Sequence, residues 1–219
     1  MIINKGIYLL TSLIILVNSA TLRPNKPLFK FGIISDIQYA NAEDAMNFQN
    51  TRLRRYKQSL SIFQDAVTSW NGLPVSEVAC AICLGDQLDG KTAMSKSQSA
   101  CLSDLKDVAK IANMQIHYAM GNHDYYAFDR KELYEHFTPP DTALGDSLGG
   151  SCSPQKLYYD WTPFPGWRFV MLDSYDVSMI GFSTPEHLDL AKKILKENNP
   201  NDLTQSGGWF KDLPRENYR

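Results

Sequence analysis

The feature that most constrains this chain is a rhythm of three short apolar runs, each closed by a small polar loop and separated by helix-length stretches. FKFGII (29–34) runs into Ser35-Asp36, VACAICL (78–84) into Gly85-Asp86, and QIHYAM (115–120) into Gly121-Asn122-His123-Asp124. Runs of this length that do not alternate apolar with polar read as strands buried on both faces. Between them, residues 49–70 place Leu53, Tyr56, Leu60, Phe63 and Val67 at helical spacing, ended by Asn71-Gly72, and residues 97–112 align Leu102, Leu105, Val108 and Ile111. Strand, helix, strand, helix, strand predicts right-handed crossovers and a parallel sheet, hence an α/β fold. Ligands of such sheets lie beyond the carboxyl ends of the strands, which is where the three polar loops fall.

Each loop carries oxygen or nitrogen donors. Asp36 and Gln38 are alternate residues, which an extended chain would turn the same way. Gly85-Asp86-Gln87-Leu88-Asp89-Gly90 combines two carboxylates with glycines that permit a tight turn. Asn122, His123 and Asp124 add an amide, an imidazole and a carboxylate in succession. A single Asp after a strand is an ordinary turn residue; three donor-bearing strand ends in one sheet are a candidate site.

Taken together, these motifs resemble the calcineurin-like metallophosphoesterase family, with its Asp-x-His, Gly-Asp-x-x-Asp and Gly-Asn-His-Asp/Glu on successive strand ends. Gln38 stands where most of the family has His. That variant, with NFQNTRLRRYKQSL (47–60) and YDWTPFPGWRFVMLDSYDVS (159–178), is similar to the manganese-dependent ADP-ribose/CDP-alcohol diphosphatases. The resemblance implies a layered fold of central β-sheets flanked by helices over residues 29–219, and two divalent metals about 3.5–4 Å apart that clamp a phosphoryl group. It implies Asp36, Gln38, Asp86 and Asn122 as metal ligands, with Asp86 shared, His123 as the catalytic group against the scissile phosphate, Asp124 orienting His123, and Asp89 as support behind them. Oxygen-rich ligands favour Mn2+, with Mg2+ or Zn2+ as alternatives. The implied substrate is a small nucleoside diphosphate conjugate; the alternatives are a phosphodiester or phosphomonoester, or an inactive nucleotide-binding homologue. The family also draws three histidines from its C-terminal half, one isolated and two in Gly-His-x-His. Only His117, His123, His136 and His187 occur here, so the domain is expected to be incomplete at its C-terminus.

The remaining features set limits. Lys5, the apolar run Ile7–Val17 and Ser19-Ala20 have the layout of a secretory signal peptide over residues 1–20, followed by a linker at 21–28; the alternative is a cytoplasmic protein. No later stretch approaches the ~20 apolar residues of a membrane span. A net charge of -2 gives no field for nucleic acid. Cys80 and Cys83 lie three apart in a strand and face opposite ways, whereas Cys101 and Cys152 could pair in an oxidising compartment. Arg52, Arg54, Arg55 and Lys57 read as a basic helix face able to steer an anionic diphosphate. His117 reads as a core residue and His136 and His187 as surface residues. Tyr39, Phe48, Tyr125, Tyr126, Phe164 and Trp167 are aromatics near the site, mostly core, with one or two free to stack on a nucleobase.

Overall fold

A computed structural model describes residues 27–47, 50–138, 152–199 and 201. The signal-peptide reading of residues 1–20, most of the linker, Phe48, the Gly/Ser-rich stretch up to residue 151 and the end of the chain lie outside these residues.

Three parallel strands, β1 (Lys30–Ile34), β4 (Val78–Cys83) and β5 (Ile116–Tyr118), form a sheet in the order β1-β4-β5. Gly32 opposes Ala81, and Ala81 opposes Ile116. Helices α1 (Gln58–Asn71) and α3 (Gln98–Lys110) make the two crossovers. Phe63 and Val67 of α1 and Leu102 and Leu105 of α3 are buried with Ala81 and Cys83 of the central strand. Trp70 lies on Gly32, where an added Cβ would come within 2.5 Å of the indole. The two helices are tied at their ends: the Asn71 side chain donates to the Ile111 carbonyl (2.6 Å) and accepts from the Asn113 N–H (2.8 Å).

Alternation along β4 sends Ile82 to the opposite face, where it joins Cys152, Leu157, Tyr159 and Met171. The last two belong to an antiparallel hairpin, β6 (Tyr159–Phe164) and β7 (Trp167–Met171), turned at Pro165-Gly166 with Gly166 at φ 84°. The result is helices, parallel sheet and hairpin in successive layers. A last helix, α6 (Pro185–Asn198), is capped by Thr184, whose side chain accepts from the His187 N–H.

The helix expected from residue 49 starts only at Gln58. Leu53–Arg54 (β3) instead pairs antiparallel with Ala45–Met46 (β2). The Asn47 side chain closes this hairpin by accepting from the Thr51 and Arg52 N–H groups (2.8 and 3.2 Å), and Asn50 takes a left-handed φ of 56°. A carboxamide that satisfies turn N–H groups competes with helix at this point, so Leu53 is exposed and the basic cluster precedes the helix. Three short helices complete the fold: α2 (Lys91–Met94), α4 (Asn122–Ala127) and α5 (Arg130–Phe137), the last with a reciprocal Asp129–Glu132 capping box.

All four cysteines are buried and unpaired, Cys101 in the helix-side core and Cys152 in the hairpin-side one. Among the described residues no helix is long and apolar enough to cross a membrane.

Candidate active site

Beyond Ile34 the chain does not continue extended. Asp36 (φ 54°), Gln38 (φ 46°) and Asp86 (φ 55°) all take left-handed backbone that non-glycine residues rarely adopt, so the directions of Asp36 and Gln38 are set by a strained turn and not by strand alternation. The strain is held by the neighbouring loop. The Asp36 N–H donates to the Gly85 carbonyl (3.1 Å), Gln38 to Asp86 (2.8 Å), Tyr39 to Gln87 (3.1 Å) and Asp89 back to Tyr39 (2.9 Å). Strain of order 1–3 kcal/mol per residue persists where surrounding structure over-determines it, and it concentrates at functional sites.

Asp86 lies where the three loops meet. One carboxylate oxygen accepts from the His123 N–H (2.9 Å), the other from the Gln38 side-chain N–H (2.9 Å). Gly121 approaches so closely that an added Cβ would sit 2.0 Å from Asp86 Oδ1. Asn122, at the start of α4, donates its side-chain N–H to the Tyr126 hydroxyl (3.1 Å). Asp36 is exposed and accepts from its neighbour Ser35.

Through its carboxylate Asp124 makes no hydrogen bond to the His123 imidazole. Its carboxylate is 1% exposed and accepts from four backbone N–H groups: Gly121 (2.8 Å) and Asp86 (2.9 Å) on one oxygen, Gln87 (2.9 Å) and Leu88 (3.3 Å) on the other. Burial pushes its pKa up to about 7, against N–H donors that favour the ionised form. Its place is that of a clamp joining the second and third loops, and the carboxylate beside the His123 imidazole is that of Asp89.

Asp89 Oδ2 lies 3.3 Å from His123 Nδ1 and 3.0 Å from Arg54 Nη1, and Oδ1 accepts from the Lys91 N–H (2.9 Å). Burial opposes its ionisation, but the hydrogen bonds from His123 and Lys91, with the charges of His123 and Arg54, hold its pKa below the ordinary carboxylate value. The hydrogen bond to Asp89 raises His123, burial opposes that, and the negative charge of Asp86 adds to it. The Gly90 N–H also points at His123 Nδ1 (3.0 Å). Gly90 needs the lone pair of that nitrogen and Asp89 needs its proton, so the two partners favour opposite protonation states. Nε2 makes no hydrogen bond among the described residues and is the nitrogen left for chemistry.

Arg54 was legible only as one of four basic residues. Its Nη1 also donates to Gln38 Oε1 (2.8 Å), the atom a cation would use, so Arg54 and a cation compete for the same oxygen. The signal for its special place was the Asn47/Asn50 pair, which marks a turn just before it. A cleft of about 1000 Å³ opens beside these groups, lined by Arg54, Asp89, Asn122, His123, Tyr56 and Tyr126 among others. Phe164 and Trp167 are not part of it; they pack with Phe29 at the start of β1, the opposite end of the sheet. His117 is stacked on Trp161 (3.8 Å between ring centroids), His136 lies beside Lys106 (3.1 Å), and His187 bonds to Ser183 and Asp176.

Asp36, Gln38, Asp86 and Asn122 offer carboxylate and amide oxygens, a chemistry that would suit a hard divalent cation such as Mn2+ or Mg2+, and of the four a hydrogen bond joins the Gln38 and Asp86 side chains. Among the described residues no group of three or more His, Cys, Asp or Glu side chains is gathered for a metal, so the amides are needed to complete even one shell.

A parallel sheet with acidic and amide donors at three adjacent strand ends, and an imidazole beside them, defines a phosphoesterase-type site. The chain belongs to the calcineurin-like phosphoesterase family, whose model matches residues 29–217. Among known proteins it is similar to the manganese-dependent ADP-ribose/CDP-alcohol diphosphatase of Mus musculus, 36% identical over 195 residues that cover 85% of this chain and 56% of that protein. The Homo sapiens protein of the same name is 38% identical over 180 residues, 80% of this chain and 52% of its own. The crystal structure of a dimetal phosphatase from Danio rerio superposes with a TM-score of 0.67 at 32% identity, covering 80% of this chain and 53% of the other. The chain thus spans about half the length of the relatives it matches.

Proposed function

We propose that this protein hydrolyses the phosphoanhydride bond of ADP-ribose, CDP-alcohols or similar nucleoside diphosphate conjugates, releasing AMP or CMP and a phosphorylated alcohol. The observation that carries this reading is Asp86 bonded to both Gln38 and the His123 N–H beyond the carboxyl ends of the strands, in the loops that also carry Asp36 and Asn122, in a chain whose relatives bear the diphosphatase name. Asp36, Gln38, Asp86 and Asn122 are the residues that would hold divalent cations, with Mn2+ the first choice; Asp86, between the loops, is the one placed to be shared. Such cations, when bound, activate water as the nucleophile and neutralise charge on the phosphoryl oxygens. The protein's own part is positional and protonic. The zipped loops after β1 and β4 fix the donors in place, the Asp124 clamp ties the third loop to them, and Asp89 holds the imidazole. His123 Nε2 faces the departing oxygen and gives it a proton, a role helped by the hydrogen bond to Asp89 that raises the imidazole's pKa.

The test is AMP release from ADP-ribose by the full chain with Mn2+, followed chromatographically, with a cyclic nucleotide and a phosphomonoester run in parallel. Turnover of the diphosphate that disappears in Asp86→Ala and on chelation supports the reading. Turnover that survives Asp86→Ala, or preference for either ester, overturns it.

A further inference from the structure

Tyr126 stands one helical turn after Asn122, two residues past the Gly-Asn-His-Asp motif, at a position no part of the proposed chemistry requires. Three observations meet there. Its hydroxyl accepts the Asn122 side-chain N–H (3.1 Å), an i to i+4 contact along α4. Its ring packs on the His123 imidazole, centroids 5.2 Å apart at 58°. Both rings close over Gly90, where an added Cβ would lie 3.0 Å from Tyr126 Cδ2 and 3.7 Å from His123 Nδ1. The same ring walls the 1000 Å³ cleft on one side and an apolar cavity of about 610 Å³ on the other, lined by Tyr175, Val177, Ile180, Ala191 and Ile194 among others.

An asparagine amide can present either end to a site. Here the N–H end is engaged by the Tyr126 hydroxyl, which anchors the side chain and leaves the carbonyl oxygen as the end available to a cation. Partners that orient a ligating side chain in this way tune affinity through the ligand itself. We propose that Tyr126 is a positioning residue of the site: its hydroxyl anchors the Asn122 side chain by its N–H, leaving the amide oxygen for the metal, and its ring holds His123 against Gly90. This rests on the divalent-cation reading above. Tyr126→Phe keeps the ring and removes only the hydroxyl, so it separates the two roles.

The experiment is an Mn2+ titration of the full chain read by electron paramagnetic resonance of the free ion, without substrate, for wild type, Tyr126→Phe and Tyr126→Ala. Tyr126→Phe is expected to weaken Mn2+ binding roughly three- to tenfold, the range of one lost hydrogen bond, with an unchanged thermal midpoint. Its turnover should fall at limiting Mn2+ and recover at saturating Mn2+, whereas Tyr126→Ala should stay impaired at saturation because His123 has lost its support. Wild-type binding of Mn2+ with equal binding by Tyr126→Phe overturns this inference alone. A wild-type chain that binds no Mn2+ overturns the cation reading and this inference with it.

Discussion

At the scale of single residues, the most informative side chain is Asp124, because its chemistry and its position point in different directions. A carboxylate next to the imidazole proposed as the proton donor invites a charge-orienting role, yet its two oxygens are fully committed to four N–H groups from the second and third loops. An amide in its place would turn an NH2 group towards donors, leaving at least two buried N–H groups without an acceptor. Asp124→Asn should therefore cost ~2–6 kcal/mol of stability, at 1–3 kcal/mol for each of two unsatisfied buried groups, measured by urea unfolding. A variant that keeps wild-type stability but loses turnover would show that the carboxylate acts on the chemistry and not on the loop. Asp89 presents the converse case. Its spacing in the sequence marks it as support for a turn, and only the fold reveals that it faces both Arg54 and His123.

At the scale of elements, the third loop is pressed onto the second with no space between them. Gly121 has an ordinary φ of -109°, so its requirement is room and not conformational freedom. Gly121→Ala puts a methyl 2.0 Å from Asp86 Oδ1 and 2.4 Å from the Asp86 nitrogen, and one of the two loops must move. Overpacking of this kind costs ~1–3 kcal/mol. The expected outcome is a drop in Mn2+ affinity and turnover of at least tenfold in protein that still unfolds cooperatively, since a misplacement near 1 Å at a reacting centre can cost about a hundredfold. Wild-type Mn2+ affinity in a folded Gly121→Ala would remove Asp86 from the metal site.

Much of this was readable beforehand. The three strands and two crossover helices follow from apolar runs and helical spacing alone, and the order of the motifs places them at one sheet end. What escaped the sequence is what depends on short turns. The β2–β3 hairpin overrode a helical pattern at Leu53 and Tyr56 because Asn47 satisfied the turn, and with it went the setting of Arg54. The left-handed backbone at Asp36, Gln38 and Asp86 has no sequence signature either, as none of the three is glycine. Hydrogen bonds between loops some fifty residues apart are what hold it.

At the scale of the whole molecule, the interface between the sheet and the β6–β7 hairpin carries a buried histidine. His117 is stacked on Trp161, and burial lowers its pKa to about 4. Between pH 6.5 and 4 the unfolded chain binds this proton and the folded chain does not, so stability falls as pH drops through that window. The contribution approaches about 3 kcal/mol below it, at 1.36 kcal/mol per pKa unit. Urea midpoints measured between pH 7 and 4.5 should fall more steeply for wild type than for His117→Leu. Equal slopes would mean that the imidazole ionises in place.

The strand order has a consequence for how the molecule comes into being. Lys30 pairs with Val78 and Ala81 with Ile116, so each crossover closes a long loop before any pairing rewards it, a topology that folds slowly. Asp36, Asp86 and Asn122 sit at the far ends of those same pairings and share no neighbourhood until the last strand has docked. On the proposed assignment, the residues of the cation site share a neighbourhood only once all three parallel strands are in register, so metal binding would report on assembly of that sheet.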